Sequence, residues 1–242
     1  MAASPPCFQT IEGVRLLTTP LFDLAIVSDE DGSASRYLAP WGSCTDLVLR
    51  RPQSITARAL ARWLLQKRWG LAPQQWHIHR AEGGAPVLVG EEGLPVPHLS
   101  FSHRGNWIGC GLCWQGSIGI DLELPTIKRD ANRLAQAFLS VPEQQSVQQD
   151  GEAALLAFWT LRESFAKSQG QGLATALSVV PAQLLTARQS AVECVWNGSL
   201  WFCQHDMDYP LHWAVVHRVP LSTRLRINEV LMPPNAKLLD IR

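Results

Sequence analysis

The segment Gly119-Ile120-Asp121-Leu122-Glu123 constrains this chain more than any other, because apolar and acidic residues alternate along it. On an extended strand that period puts Asp121 and Glu123 on one face and Ile120 and Leu122 on the other, against a core. A fold built on such a strand must bring two carboxylates to one spot. Some forty residues later, Trp159-Thr160-Leu161-Arg162-Glu163-Ser164-Phe165-Ala166-Lys167 continues to Gly170 and Gly172. The stretch from Leu155 to Phe165 is rich in Ala, Leu and aromatics and reads as a helix, with Glu163 and Lys167 one turn apart on one face. Three converging carboxylates repel unless a cation holds them. Mg2+ suits oxygen ligands of this kind and completes its shell with water and phosphate oxygens, so phosphate chemistry is implied. Singly, each motif also fits an ordinary half-exposed strand or a surface pair worth about 0.3–0.5 kcal/mol. Their order and spacing make the combination specific.

The surrounding pattern predicts an α+β chain. Early strands are expected between Ile11 and Val27, a polar loop from Ser28 to Ser43, and a helix from Ile55 to Trp69 with Ser54 or Thr56 as its cap. Strands are expected at His77 to His79 and, separated by turns, between Trp107 and Leu124. After Pro125 come a helix around Asn132 to Phe138, a helix start at Ser140-Val141-Pro142-Glu143, a helix from Glu152 to Ser168, and strands at Val192 to Trp196, Leu200 to Gln204 and Leu211 to Val219. Asn197-Gly198 between two of these reads as a tight hairpin turn rather than a glycosylation sequon.

Composition narrows the class. The 242 residues are 46% hydrophobic, enough for a sizeable core, and the formal net charge is +0. A nucleic-acid binder would carry a basic excess, so any cationic site is local. No apolar run approaches 18 residues, the N-terminus has no charged apolar leader, and the six Cys show no framework, which together predict a reduced cytoplasmic protein without a membrane span. Cys110-Gly111-Leu112-Cys113 has redox-motif spacing, but its Trp-flanked surroundings read as a strand rather than the helix N-terminus that activates a thiol. His77 and His79 read as surface residues.

The two acidic motifs resemble the 4'-phosphopantetheinyl transferases of the surfactin-synthetase type, which carry G-(I/V)-D-x-E and, about forty residues on, W-x-x-K-E-(A/S)-x-x-K followed by glycines. Here Arg162 stands where Lys is usual. The resemblance implies Mg2+ on Asp121, Glu123 and Glu163, with Lys167 as a phosphate-directed cation and Glu163 as ligand, base or both. It also implies transfer of the phosphopantetheine arm of coenzyme A to a serine of an apo acyl or peptidyl carrier protein, with release of 3',5'-ADP.

Further segments extend the likeness. Leu99 to Trp107 resembles the family's Asn-Ile-Ser-His-Ser motif, aligning Ser102 and His103 with the pair that meets the 3'-phosphate of coenzyme A. Arg58-Ala59-Leu60 resembles its Arg-x-Leu helix, which makes Arg58, and one turn later Arg62, candidates for nucleotide phosphates. Gly84-Ala85-Pro86 matches a Gly-x-Pro in which x is often Lys, so a side-chain contact from that position is lost. The implied architecture is a monomeric pseudo-dimer of two similar subdomains, each an antiparallel sheet packed on a long helix, divided as 1–120 and 121–242 with the active site in the cleft between them. A phosphohydrolase using the same acids, and an inactive scaffold that only binds carrier protein or coenzyme A, are the rival readings.

Overall fold

The computed structural model describes residues 8–19, 21–49, 51–82, 84–92, 95–125, 130–170, 191–208 and 210–220. They divide into two compact units, the first reaching Gly116 and the second beginning at Ser117. The division falls at 116/117 rather than at 120/121, so the strand that carries Asp121 lies whole in the second unit.

The first unit holds an antiparallel sheet formed by β1 (Gln9–Ile11), β2 (Val14–Thr18), β3 (Asp23–Ser28), β6 (His98–Arg104) and β7 (Trp107–Cys113), in the order β1-β2-β3-β7-β6. A separate two-stranded ribbon pairs β4 (His77–Arg80) with β5 (Pro86–Val89). Helix α1 (Ser33–Leu38) lies within the stretch expected as a polar loop. Side-chain oxygens of Asp31 and Asp29 accept from Ser33 N and Ser35 N at 2.9 and 3.0 Å, a local bonding pattern that hydrophobic periodicity does not register. Helix α2 (Pro52–Trp69) starts earlier than expected: Pro52 occupies the first turn, where its missing N–H leaves no bond unmade, and neither Ser54 nor Thr56 caps it. Gly70, at φ 67, ends it. Leu60, Trp63, Leu64 and Leu65 of α2 pack with Val14, Leu16, Ile108, Cys110 and Leu112 of the sheet.

The second unit holds β8 (Ile118–Glu123), α3 (Ala131–Phe138), α4 (Val141–Asp150), α5 (Glu152–Ser168), β9 (Ala191–Trp196), β10 (Ser199–Asp208) and β11 (Leu211–Pro220), with the antiparallel order β8-β11-β10-β9. The Asn197-Gly198 turn is as expected: both residues have positive φ, 46 and 68, and Trp196 pairs with Ser199 across a two-residue connection. Leu161, Phe165 and Ala166 of α5 pack on Cys194, Trp201, Cys203, Ala214 and Val216 of the sheet. The thiols of the first unit's Cys110-x-x-Cys113 are buried in β7, and burial pushes Cys113 up to about 11 and Cys110 well above its ordinary value. Neither has thiolate character.

Among the described residues no helix is long and apolar enough to cross a membrane.

Candidate active site

Glycine at position 119 sets the site's geometry. A Cβ built there would sit 1.8 Å from Ser164 O and 2.5 Å from Ser168 N, so only a residue without a side chain lets the α5 backbone rest directly on β8. Ser164 itself is fully buried and its hydroxyl donates to Ala214 O at 3.0 Å, which ties the same turn of α5 to β11. With the helix pinned at this height, Glu163 and Lys167 stand over the acidic face of β8.

Asp121 and Glu123 are buried on that face, opposite Ala214 and His212 of β11. With Glu163 they offer carboxylate oxygens that all lie within 4.8 Å of one another. Lys167 Nζ donates to Asp121 Oδ1 at 2.7 Å and lies 3.9 Å from Glu163 Oε2. One ammonium against three carboxylates leaves excess negative charge, and Glu163 records it. Burial first and the charge of Asp121 next raise its pKa to about 7, Lys167 working against them and Glu123 with them. All four residues expected here are brought together.

This oxygen-only donor set fits a hard divalent cation such as Mg2+ better than a thiophilic metal. Asp121, Glu123 and Glu163 are the residues that would hold it.

Arg162, one position before Glu163, faces elsewhere. Its guanidinium makes two 2.9 Å bonds to Glu143, and both side chains are buried. Glu143 also accepts from Ser140 N and Ser140 Oγ at 2.7 Å, capping α4. Burial alone would raise the Glu143 carboxyl, but the Arg162 fork and the Ser140 bonds outweigh it and hold it below its usual value. The Arg that replaces the family's Lys therefore clamps α5 to the start of α4. Sequence reading singled out the Ser140 to Glu143 helix start without linking Glu143 to Arg162, because nineteen positions separate the partners.

In the first unit Arg62 is buried to 1%, donating from Nε to Trp76 O at 3.0 Å and from NH1 to Asp46 Oδ2 at 2.6 Å. Arg58 Nε lies 3.7 Å from the other oxygen of Asp46, and the Arg58 guanidinium sits 5.9 Å from the Phe101 ring centroid. Asp46, in a 3-10 turn (Cys44–Val48), had no sequence signal of its own. Alternation along β6 places Phe101 and His103 on the face that packs against α2 and Ser102 on the opposite one; His103 is exposed and Ser102 buried. Gly83 and Gly172 lie outside the described residues, while Gly170, at φ 64, follows the end of α5.

The chain is thus a two-unit α+β protein with three converging carboxylates and a lysine on β8 and α5. Residues 117–224 match the model of the 4'-phosphopantetheinyl transferase superfamily, a segment that starts where the second unit starts. Relatives include slr0495 of Synechocystis, provisionally named for this activity, which is 29% identical over 175 residues, 70% of this chain and 68% of that protein. The 4'-phosphopantetheinyl transferase psf-1 of Bacillus pumilus is 28% identical over 175 residues, 70% and 72% of the two chains. The 4'-phosphopantetheinyl transferase Sfp of Bacillus subtilis is 26% identical over 145 residues, 58% and 62%. The chain is thus similar to the 4'-phosphopantetheinyl transferase superfamily over residues 117–224, and to these three relatives over 58–70% of its length.

Proposed function

We propose that this protein transfers the 4'-phosphopantetheine arm of coenzyme A to a serine of an apo acyl or peptidyl carrier protein, using Mg2+ held by Asp121, Glu123 and Glu163. The observation that carries the reading is the convergence of those three carboxylates beside Lys167, inside the segment that matches the superfamily. The transferases psf-1 and Sfp are named for the same reaction.

When bound, the ion offsets charge on the pyrophosphate and stabilises the departing 3',5'-ADP. Lys167 holds Asp121 in place and presents a fixed ammonium where negative charge grows on the transferred phosphoryl group. Glu163 accepts, directly or through a water, the proton that the carrier serine loses as it attacks the β-phosphate. Arg162 and Glu143 keep the Glu163 turn of α5 at its height above β8.

For the 3'-phosphate, Arg58 and His103 share one face of the first unit's sheet, which supports them as a pair; Ser102, on the other face, is tied to that role by the family resemblance. Arg62 is already engaged by Asp46 and two backbone carbonyls, which favours a supporting role beneath Arg58. The pseudo-dimeric reading draws on each unit pairing an antiparallel sheet with one long helix. A monomer acting in the cytoplasm remains the proposed setting.

Incubation with coenzyme A, Mg2+ and a purified apo carrier, followed by mass spectrometry of the carrier, tests the function. A mass gain of one phosphopantetheinyl group is expected. Consumption of coenzyme A with an unmodified carrier would mean hydrolysis instead, and no turnover with bound coenzyme A would mean a scaffold.

A further inference from the structure

Each acid of β8 has its own neighbour on β11. Antiparallel register sets Ala214 opposite Asp121 and His212 opposite Glu123, and residues paired in this way point to the same face with Cβ atoms about 5 Å apart. The Ala214 side chain offers Asp121 no donor, and Asp121 is held from α5 instead, by the 2.7 Å bond from Lys167 Nζ. Glu123 has an imidazole alongside it in the sheet. Both members of this pair are buried, His212 at 4% exposure and Glu123 at 8%.

On its other side His212 pairs with Met207 of β10, whose thioether is only a weak acceptor. His205 stands on the diagonal, opposite Ala214, and Glu152 in the first turn of α5 acts on the ring through its charge. Of the two residues directly across from His212, Glu123 alone is a carboxylate. An imidazole presents an N–H whether it is neutral or charged, so its capacity to donate does not depend on its protonation. A buried carboxylate is stable only when donors or a cation meet it, and one that ligates a metal has its free oxygen fixed so that the other keeps its aim.

We propose that His212 is a positioning residue of the metal site, its ring N–H donating to the Glu123 oxygen that does not face the ion. This rests on the transferase reading above and deepens it, adding β11 to a site otherwise built from β8 and α5. The two holders then differ in kind. Lys167 brings a charge that also serves the reaction, whereas His212 brings direction only, so its loss acts on metal affinity and not on the chemical step.

Mn2+ binding to the full chain, followed by the electron paramagnetic resonance signal of the free ion, tests this on wild type, His212→Leu, His212→Gln, His212→Asn and Glu152→Gln, with metal-free melting recorded for each. His212→Leu should weaken Mn2+ binding about ten- to a hundredfold, the scale of removing the partner of a metal ligand. Gln and Asn carry an amide N–H close to where Nε2 and Nδ1 of the ring stand, so one of the two should keep the affinity near wild type. That comparison holds even if His212→Leu fails to fold. Glu152→Gln should bind as wild type. In transfer assays the same loss should appear as a raised Mg2+ requirement, with turnover at saturating Mg2+ retained. Wild-type Mn2+ affinity in His212→Leu, whatever its melting, would reduce His212 to packing. Equal losses in all three His212 variants, or a loss in Glu152→Gln as large as in His212→Leu, would also overturn its role while leaving the transferase reading intact. If wild type bound no Mn2+, the metal assignment itself would fall, and the role of His212 with it.

Discussion

The two units set a long helix on an antiparallel sheet in the same manner and load the contact with opposite charge. Near the start of α2 the buried arginines Arg58 and Arg62 share one buried carboxylate, Asp46, while Arg68 at its end pairs with the buried Asp23. Around α5, the carboxylates Asp121, Glu123 and Glu163 surround a single ammonium, Lys167. In each, the minority charge is too small to satisfy the majority. A chain neutral overall therefore carries an excess of positive charge in one unit and an excess of negative charge in the other. The difference lies in burial: Asp46 is the partner of a guanidinium that is 1% exposed, whereas the Lys167 side chain is 31% exposed, and removing one member of the acid triad beside it relieves repulsion.

Asp46→Ala should therefore have the largest effect. Stranding Arg62 without a partner should destabilise the protein by about 3–5 kcal/mol in denaturant unfolding. A loss below about 1 kcal/mol would show that Asp46 is not the structural counterion of α2.

Asp121→Ala should do the opposite. Turnover with an apo carrier should fall at least ~10²-fold, the scale of deleting one preorganised electrostatic group, while metal-free melting holds or rises. Wild-type turnover in that variant would sink the metal assignment.

Lys167→Met comes next. As a phosphate-directed cation its removal should slow transfer roughly tenfold or more at saturating coenzyme A. As a helix-face partner of Glu163 alone it would shift stability by about 0.5 kcal/mol and leave turnover nearly unchanged, so steady-state rates beside melting curves decide between the two.

The smallest effect expected is a pH dependence. Glu163 has a folded-state pKa raised from 4.5 to about 7, so the native state holds a proton there that the unfolded chain has already released. Its contribution is fully present below pH 4.5 and is lost as pH rises through about 7, because the metal-free native state then carries a third carboxylate charge. Mg2+ competes with that proton, so the rise in melting temperature that it produces should be larger at pH 8 than at pH 6. Subtracting the metal-free curve removes other groups that titrate in this window, Asp23 in the first unit among them, raised by burial to about 6. Equal Mg2+ protection at both pH values would place the bound ion away from Glu163.

Local pattern was a good guide wherever a residue's role depends on its near neighbours in sequence. The period of two along β8 put Asp121 and Glu123 on one face, the one-turn spacing paired Glu163 with Lys167, and Asn197-Gly198 fixed a hairpin, because strand, helix and turn geometry extend over only a few positions. The helix from Glu152 to Ser168 was bounded as expected by its own composition. The start of α2 was not, since Pro52 opens it and no polar cap marks the place.

What only tertiary structure decided are the pairings that cross elements. Asp46 meets Arg62 over sixteen positions and Glu143 meets Arg162 over nineteen, and nothing in either local sequence selects that partner from among the chain's other charges. The requirement for Gly119 comes from the backbone of a helix more than forty residues away. Sequence patterns repeat with the period of one strand or one helical turn, whereas buried charges and close backbone approaches are settled by whichever surfaces the packing brings together.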